Sequence, residues 1–143
     1  MKRRKAREHA LQILFQLDIK QEKPSAAILK RFWAEFPVDD EVRAFAEEIV
    51  KGTYKHLAEI NAIIRQCAKN WSLDRMAVVD RNVLRMAVYE VLHRMDIPTS
   101  VTINEAIEIA KKYGTDESGA FVNGILDSVA RVSGKLDEGK IES

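Results

Sequence analysis

Between Leu73 and Met95 the apolar residues Ala77, Val78, Val79, Val83, Leu84, Met86, Ala87, Val88, Val91 and Leu92 fall on almost every side of a helix when placed at about 100° per residue. A helix that is apolar all round has to be enclosed, so this segment is predicted as the central helix and the rest of the chain must supply its shell. The flanking sequence has the form needed. A first helix runs from the cationic start of the chain through Ala10, Leu11, Ile13, Leu14 and Leu17 to about Lys20. Pro24-Ser25 opens a second, with Ile28, Leu29, Phe32 and Trp33 on one face, and Pro37 stops it. Asp39 or Asp40 caps a third, whose stripe of Val42, Phe45, Ala46, Ile49 and Val50 runs up to Gly52. A fourth spans about Thr53 to Lys69 with Leu57, Ile60, Ile63, Ile64 and Cys67 aligned.

Beyond the central segment, Pro98 ends a connection and a sixth helix starts at Ser100 or Thr102, where Thr102-Ile103-Asn104-Glu105 has the capping-box pattern. Gly114, after Lys111, Lys112 and Tyr113, is read as a left-handed C-cap. Asp116, Glu117 and Ser118 open a seventh helix carrying Phe121, Val122, Ile125, Leu126, Val129 and Val132. On it, Gly119 and Gly124 read as close packing and Asn123 as a buried tie between helices. No strand and no internal repeat is predicted. The fold class is all-α, about seven helices in one compact domain over 1–143, with 135–143 a frayed tail. With 143 residues, 46% of them hydrophobic, such a domain buries roughly two-thirds of its unfolded surface without a staple.

Catalytic and metal chemistry find little support. One cysteine, Cys67, excludes an internal disulfide and a multi-cysteine metal site, and suits a reducing, cytoplasmic setting. No apolar h-region precedes Leu11, and inner apolar runs are broken by charges such as Asp80, so neither a signal peptide nor a membrane span is expected. The sequon Asn70-Trp71-Ser72 is therefore read as coincidence. His9, His56 and His93 fall on different predicted helices with no His-Glu-x-x-His, so each is read as a surface or satisfied histidine and no metal is expected. Gly134 to Lys140 matches the start of a phosphate-binding loop, but Ile141 stands where Ser or Thr must hold magnesium and no strand precedes it. Asp39-Asp40-Glu41 and Glu47-Glu48 are neighbours that point apart on a helix, and Ser118 lies outside any Gly-x-Ser-x-Gly elbow. A non-enzymatic protein without a cofactor is expected.

Charge points to binding instead. Five of the six residues from position 2 to position 7 are cationic: Lys2, Arg3, Arg4, Lys5 and Arg7. They form an end of +5 on a remainder in which 18 Lys and Arg face 22 Asp and Glu. On a helix, Arg3 and Arg7 project with Ala10, Leu14 and Leu17, so the cations extend the core-facing stripe as one wall of a groove suited to a phosphate backbone. A disordered, solubilising terminus is the alternative. Phe121, early in the seventh helix, offers a platform for a base, with Glu117 or Ser118 reading its edge; core packing beside Val122 and Ile125 competes.

Asp80-Arg-Asn-Val-Leu-Arg-Met-Ala-Val-Tyr-Glu90, Ile97-Pro98 leading to Ile103-Asn-Glu-Ala-Ile-Glu-Ile-Ala-Lys111, and Phe121-Val-Asn-Gly-Ile-Leu-Asp127 follow in order. With Arg3-Arg4-Lys5-Ala6-Arg7-Glu8 before Ala10-Leu-Gln, they resemble the NusB family of transcription antitermination factors over the whole chain. The resemblance implies two three-helix sub-bundles, here about 1–70 and 71–134, sharing a long central helix. It implies binding of boxA single-stranded RNA as a heterodimer with NusE, the small-subunit ribosomal protein. That complex would join the elongating RNA polymerase with other Nus factors, chiefly on ribosomal RNA operons, and a homodimer would use the same partner surface. The family's RNA contacts carry over to Lys2, Arg3, Arg4, Lys5, Arg7, Glu117, Ser118 and Phe121, and its ribosomal-protein contact to Asp80, with Arg81 and Arg85. Asp80 and Arg81 sit at the edge of the apolar stripe centred on Leu84, where an interface or an internal ion pair would each fit. Two other readings stand beside it: the RNA-binding module of an RNA cytosine methyltransferase, and a pure protein-interaction or dimerisation module.

Overall fold

The computed structural model describes residues 1–135. Among them are seven α-helices, one 3-10 turn and no strand. The helices are α1 (Lys2–Lys20), α2 (Ala26–Glu35), α3 (Asp40–Lys55), α4 (Leu57–Cys67), α5 (Val78–His93), α6 (Thr99–Tyr113) and α7 (Ser118–Val132), and the turn is Leu73–Arg75. The tail expected to fray lies, past Lys135, outside the described residues, as does most of the phosphate-loop match. None of the described helices is long and apolar enough to cross a membrane.

α5 is the hub. It packs against α1, α3, α4, α6 and α7, while α1 pairs with α3 and α6 with α7. Every residue from Met86 to Val91 is buried, which covers more than one full turn and requires neighbours on all sides. The core around it is built from Ile13, Leu14, Leu17, Ile49, Ile60, Ile64, Ile109 and Leu126. Two helix starts form as predicted, because a short polar side chain takes a free amide: Ser25 Oγ accepts from the Ile28 N–H at 3.2 Å and Asp39 Oδ1 from the Val42 N–H at 3.0 Å.

Several local expectations are corrected. The central segment does not run unbroken from Leu73, because Met76 and Ala77 are extended and separate the 3-10 turn from α5. That break lets Leu73 and Met76 both turn inward and stay buried. Gly52 does not end α3, which continues to Lys55 and leaves α4 a shorter helix than predicted. A β-carbon at position 52 would stand 2.2 Å from the Tyr89 ring, so this glycine is clearance for α5. Gly114 likewise has φ −100°, not a left-handed value, and a β-carbon there would meet Ser118 Oγ at 2.3 Å. The capping box is absent: α6 begins at Thr99, and Thr102 and Glu105 are drawn away to side chains of α5 and α1. Asn123 is exposed rather than buried, and no atom lies within 4 Å of a β-carbon built on Gly124.

Candidate nucleic-acid interface

A helix N-terminus carries a partial positive charge, so a run of cations there is unfavourable unless acids are brought to it. Three other helices supply them. Lys2 Nζ lies 3.1 Å from Glu41 and 3.3 Å from Asp39 at the start of α3. Arg4 makes a two-pronged pair with Glu105 of α6. Arg7 goes further, into the core, where its Nε and Nη2 donate to Glu90 of α5 at 2.7 and 2.8 Å. Thr102 Oγ1 donates to the same carboxylate at 2.8 Å, and the Arg7 side chain is only 5% exposed. Arg7, expected as an RNA contact, is buried instead: Glu90, enclosed in the central helix, needs a positive partner, and Arg7 is that partner. Arg3 and Lys5 remain exposed, Arg3 lying over the Phe45 ring at 4.7 Å and Lys5 without an ion pair among the described residues.

The expected partner surface divides in the same way. Arg81 and Arg85 turn inward to Asp18 of α1, at 2.8 and 3.0 Å, and Asn82 Nδ2 donates to the same carboxylate at 2.8 Å. Burial raises the Asp18 carboxyl pKa, but the bonds from Arg81 and Asn82 and the charge of Arg85 outweigh it and leave it below its ordinary value. For these two arginines the internal ion pair is what forms, and each side chain keeps a partly exposed edge. Asp80 is the exception. It is 8% exposed, and its Oδ1 has no hydrogen-bond partner among the described residues. A buried acceptor left unpaired costs on the order of 1–3 kcal/mol, so the position favours an incoming donor.

That carboxylate lines a cleft with Trp71, Arg75, Thr115, Glu117, Ser118 and Phe121. Residues expected to meet RNA and the residue expected to meet protein are thus brought together, from the 3-10 turn, the first turn of α5 and the α6–α7 connection. Phe121 is half-buried, packs on the core and meets the Trp71 ring edge-on, centroids 6.0 Å apart. Ser118 lines the cleft but is occupied, since its Oγ accepts the Thr115 N–H at 2.9 Å and holds the turn that presents Glu117. Trp71 was not predicted. It is 53% exposed, and with Arg75 it also lines an adjoining cleft whose other walls include Arg65 and Lys69. Its signal in the sequence was a tryptophan outside any amphipathic stripe, set between Lys69 and Arg75.

None of the cations at positions 2–7 lines the aromatic cleft. Lys2 and Arg3 line a separate cleft with Glu41, Ala44, Phe45 and Glu48. Glu8 of α1 is held by Lys112 at 3.1 Å and by the Tyr113 hydroxyl at 3.0 Å, and Tyr113 leads into the α6–α7 turn that lines the aromatic cleft. Exposed aromatic faces, scattered cations and an unpaired acceptor suit a stacked base and a flexible phosphate chain better than a small substrate.

A model of the NusB family matches residues 4–131. The chain is 52% identical over 139 residues to the transcription antitermination protein NusB of Desulfitobacterium hafniense (strain DSM 10664 / DCB-2), covering 96% of this chain and 94% of that protein. It is 56% identical over 131 residues to the protein of that name from Anaeromyxobacter sp. (strain Fw109-5), covering 91% and 90%. Among solved structures it is similar to T. maritima NusB, with TM-score 0.84, 42% identity and coverage of 99% and 97%. It is also similar to a chain in a crystal structure of antitermination factors NusB and NusE in complex with dsRNA, with TM-score 0.83, 27% identity and coverage of 92% and 97%.

Proposed function

The chain belongs to the NusB family, and from that premise we propose that it acts in transcription antitermination by binding boxA-type single-stranded RNA together with NusE. The complex would join the elongating RNA polymerase and other Nus factors, notably on ribosomal RNA operons. Its curated relatives are transcription antitermination proteins, in keeping with a binding protein rather than an enzyme.

One observation supports this reading above the others: a buried carboxylate oxygen without a donor, at the wall of a cleft that also presents Trp71 and Phe121. A base stacks on one ring and meets the edge of the other, and Glu117 reads its edge. An N–H of NusE completes Asp80 Oδ1. Arg65, Lys69, Arg75 and, along α1, Lys2, Arg3 and Lys5 engage phosphates, giving affinity without sequence choice. RNA and protein meeting in one cleft accounts for their joint binding, since each supplies part of the other's surface.

The test is titration of a boxA-containing oligonucleotide with and without NusE. NusE is expected to tighten RNA binding, Phe121→Ala to weaken it by about 1–3 kcal/mol with the fold intact, and Asp80→Leu to remove most of the NusE gain. Unchanged RNA affinity in Phe121→Ala would overturn the assignment.

A further inference from the structure

Two of the three histidines, separate in sequence, come together at the far end of α5. His56, at the corner joining α3 to α4, and His93, the last residue of α5, stack with ring centroids 3.8 Å apart and planes inclined by 17°. Glu59, on the first turn of α4, places Oε1 2.9 Å from His93 Nε2 and 3.7 Å from His56 Nδ1. We propose that His56, Glu59 and His93 form a binding site for a divalent transition-metal ion of the zinc class, which ties the α3–α4 corner to the end of the central helix.

The ligand set and spacing both fit. All three ligand atoms lie within 4.8 Å of one another. In a tetrahedral zinc site with Zn–N near 2.0–2.1 Å and Zn–O near 2.0–2.2 Å, ligand atoms stand about 3.3 Å apart. The two distances to Glu59 fall on either side of that value, and closing the site also requires one imidazole to turn out of the stack, because a metal lies in the plane of each ring it binds. Two imidazoles with one carboxylate select zinc, copper, nickel or cobalt over magnesium and calcium, which prefer oxygen ligands alone. Three protein ligands leave a position for water, and the Glu59 side chain, 56% exposed, leaves a path of entry.

The supports are rigid. The His56 N–H donates to the Gly52 carbonyl at 3.1 Å and its carbonyl accepts the Ile60 N–H at 2.9 Å, which fixes the corner. The Tyr89 ring lies 5.8 Å from His93 and 6.4 Å from His56, backing the pair, and its hydroxyl donates to Glu48 at 2.7 Å. The backbone positions of the three residues are thus fixed, and metal binding has only to reorient their side chains.

The experiment is calorimetric titration of the untagged protein with zinc chloride, with magnesium chloride as control, on the wild type and on His56→Ala, Glu59→Gln, His93→Ala and His9→Ala. His9 packs among Phe32, Trp33 and Phe36, away from the cluster, and its replacement is expected to leave binding unchanged. One zinc per chain is expected in the wild type and His9→Ala. Affinity should fall at least tenfold in Glu59→Gln and beyond detection in either histidine variant, with magnesium inert throughout. At a hundredfold excess over Kd, zinc should raise the wild-type Tm by roughly 5–10 °C. The wild type decides independently of whether the variants fold: no stoichiometric zinc binding overturns the proposal, as does binding that survives loss of either His56 or His93.

Discussion

Replacing Arg7 with methionine separates a core role from an RNA role. The Arg7 and Glu90 side chains are 5% and 1% exposed, and their two hydrogen bonds are 2.7 and 2.8 Å long. Removing the guanidinium leaves a buried carboxylate with Thr102 as its remaining donor at 2.8 Å. Breaking a buried pair from one side costs about 3–5 kcal/mol, because the other charge stays behind uncompensated. That corresponds to a loss of roughly two to four powers of ten in the folding constant and, for a chain of this length, a fall in Tm of roughly 10–15 °C. The double variant Arg7→Met, Glu90→Met removes both charges and is expected to recover most of that loss, since a well-packed apolar pair replaces a buried ionic one at little net cost. Urea unfolding followed by far-ultraviolet circular dichroism gives the cycle. RNA titration below the variant's Tm gives the second readout, where affinity should stay within about threefold of wild type. A stable Arg7→Met protein with weakened RNA binding would refute the buried assignment.

Asp18 gives a pH dependence with a definite sign. Its carboxyl titrates below the ordinary value when folded, so its stabilisation is present above that value and is lost as pH falls through the ordinary carboxylate range toward the folded one. Asp18→Asn should cost about 3 kcal/mol or more at pH 7 by stranding Arg81 and Arg85, and the gap from wild type should narrow below about pH 4 in acid unfolding curves. Gly52→Ala drives a methyl group into the Tyr89 ring, 2.2 Å away, and should destabilise by about 1–3 kcal/mol in thermal melts. Of the two tryptophans Trp33 is buried and Trp71 is 53% exposed; RNA should quench the emission of Trp71, and the quenching should vanish in Trp71→Phe.

Periodicity made the helices legible because each has one dominant partner direction, and α5 legible because it has none. Misread positions were those whose side chains answer to distant residues. Thr102 and Glu105 read as a local cap, yet Glu90 and Arg4 claim them from 12 and 101 residues away. Gly52 read as a stop because its reason, the Tyr89 ring, belongs to another helix. The cationic tip read as a free polyanion site because the sequence does not show that Glu41, Glu105 and Glu90 converge on it. Phe121 and Asp80 were both singled out, but their common cleft, and Trp71 at its edge, depend on how the 3-10 turn lies against α7. His56 and His93 show the same limit: helix ends far apart in sequence meet only in the packed bundle.

Amide chemical-shift mapping with isotope-labelled protein and unlabelled boxA RNA locates the binding surface residue by residue. The largest shifts are expected at 69–76, 80 and 115–121, with smaller ones at 2–5 and 111–113, and with little change at 7 or 26–35. Shifts confined to 2–7 with none around Trp71 and Phe121, or centred on α2, would contradict the aromatic cleft as the RNA site.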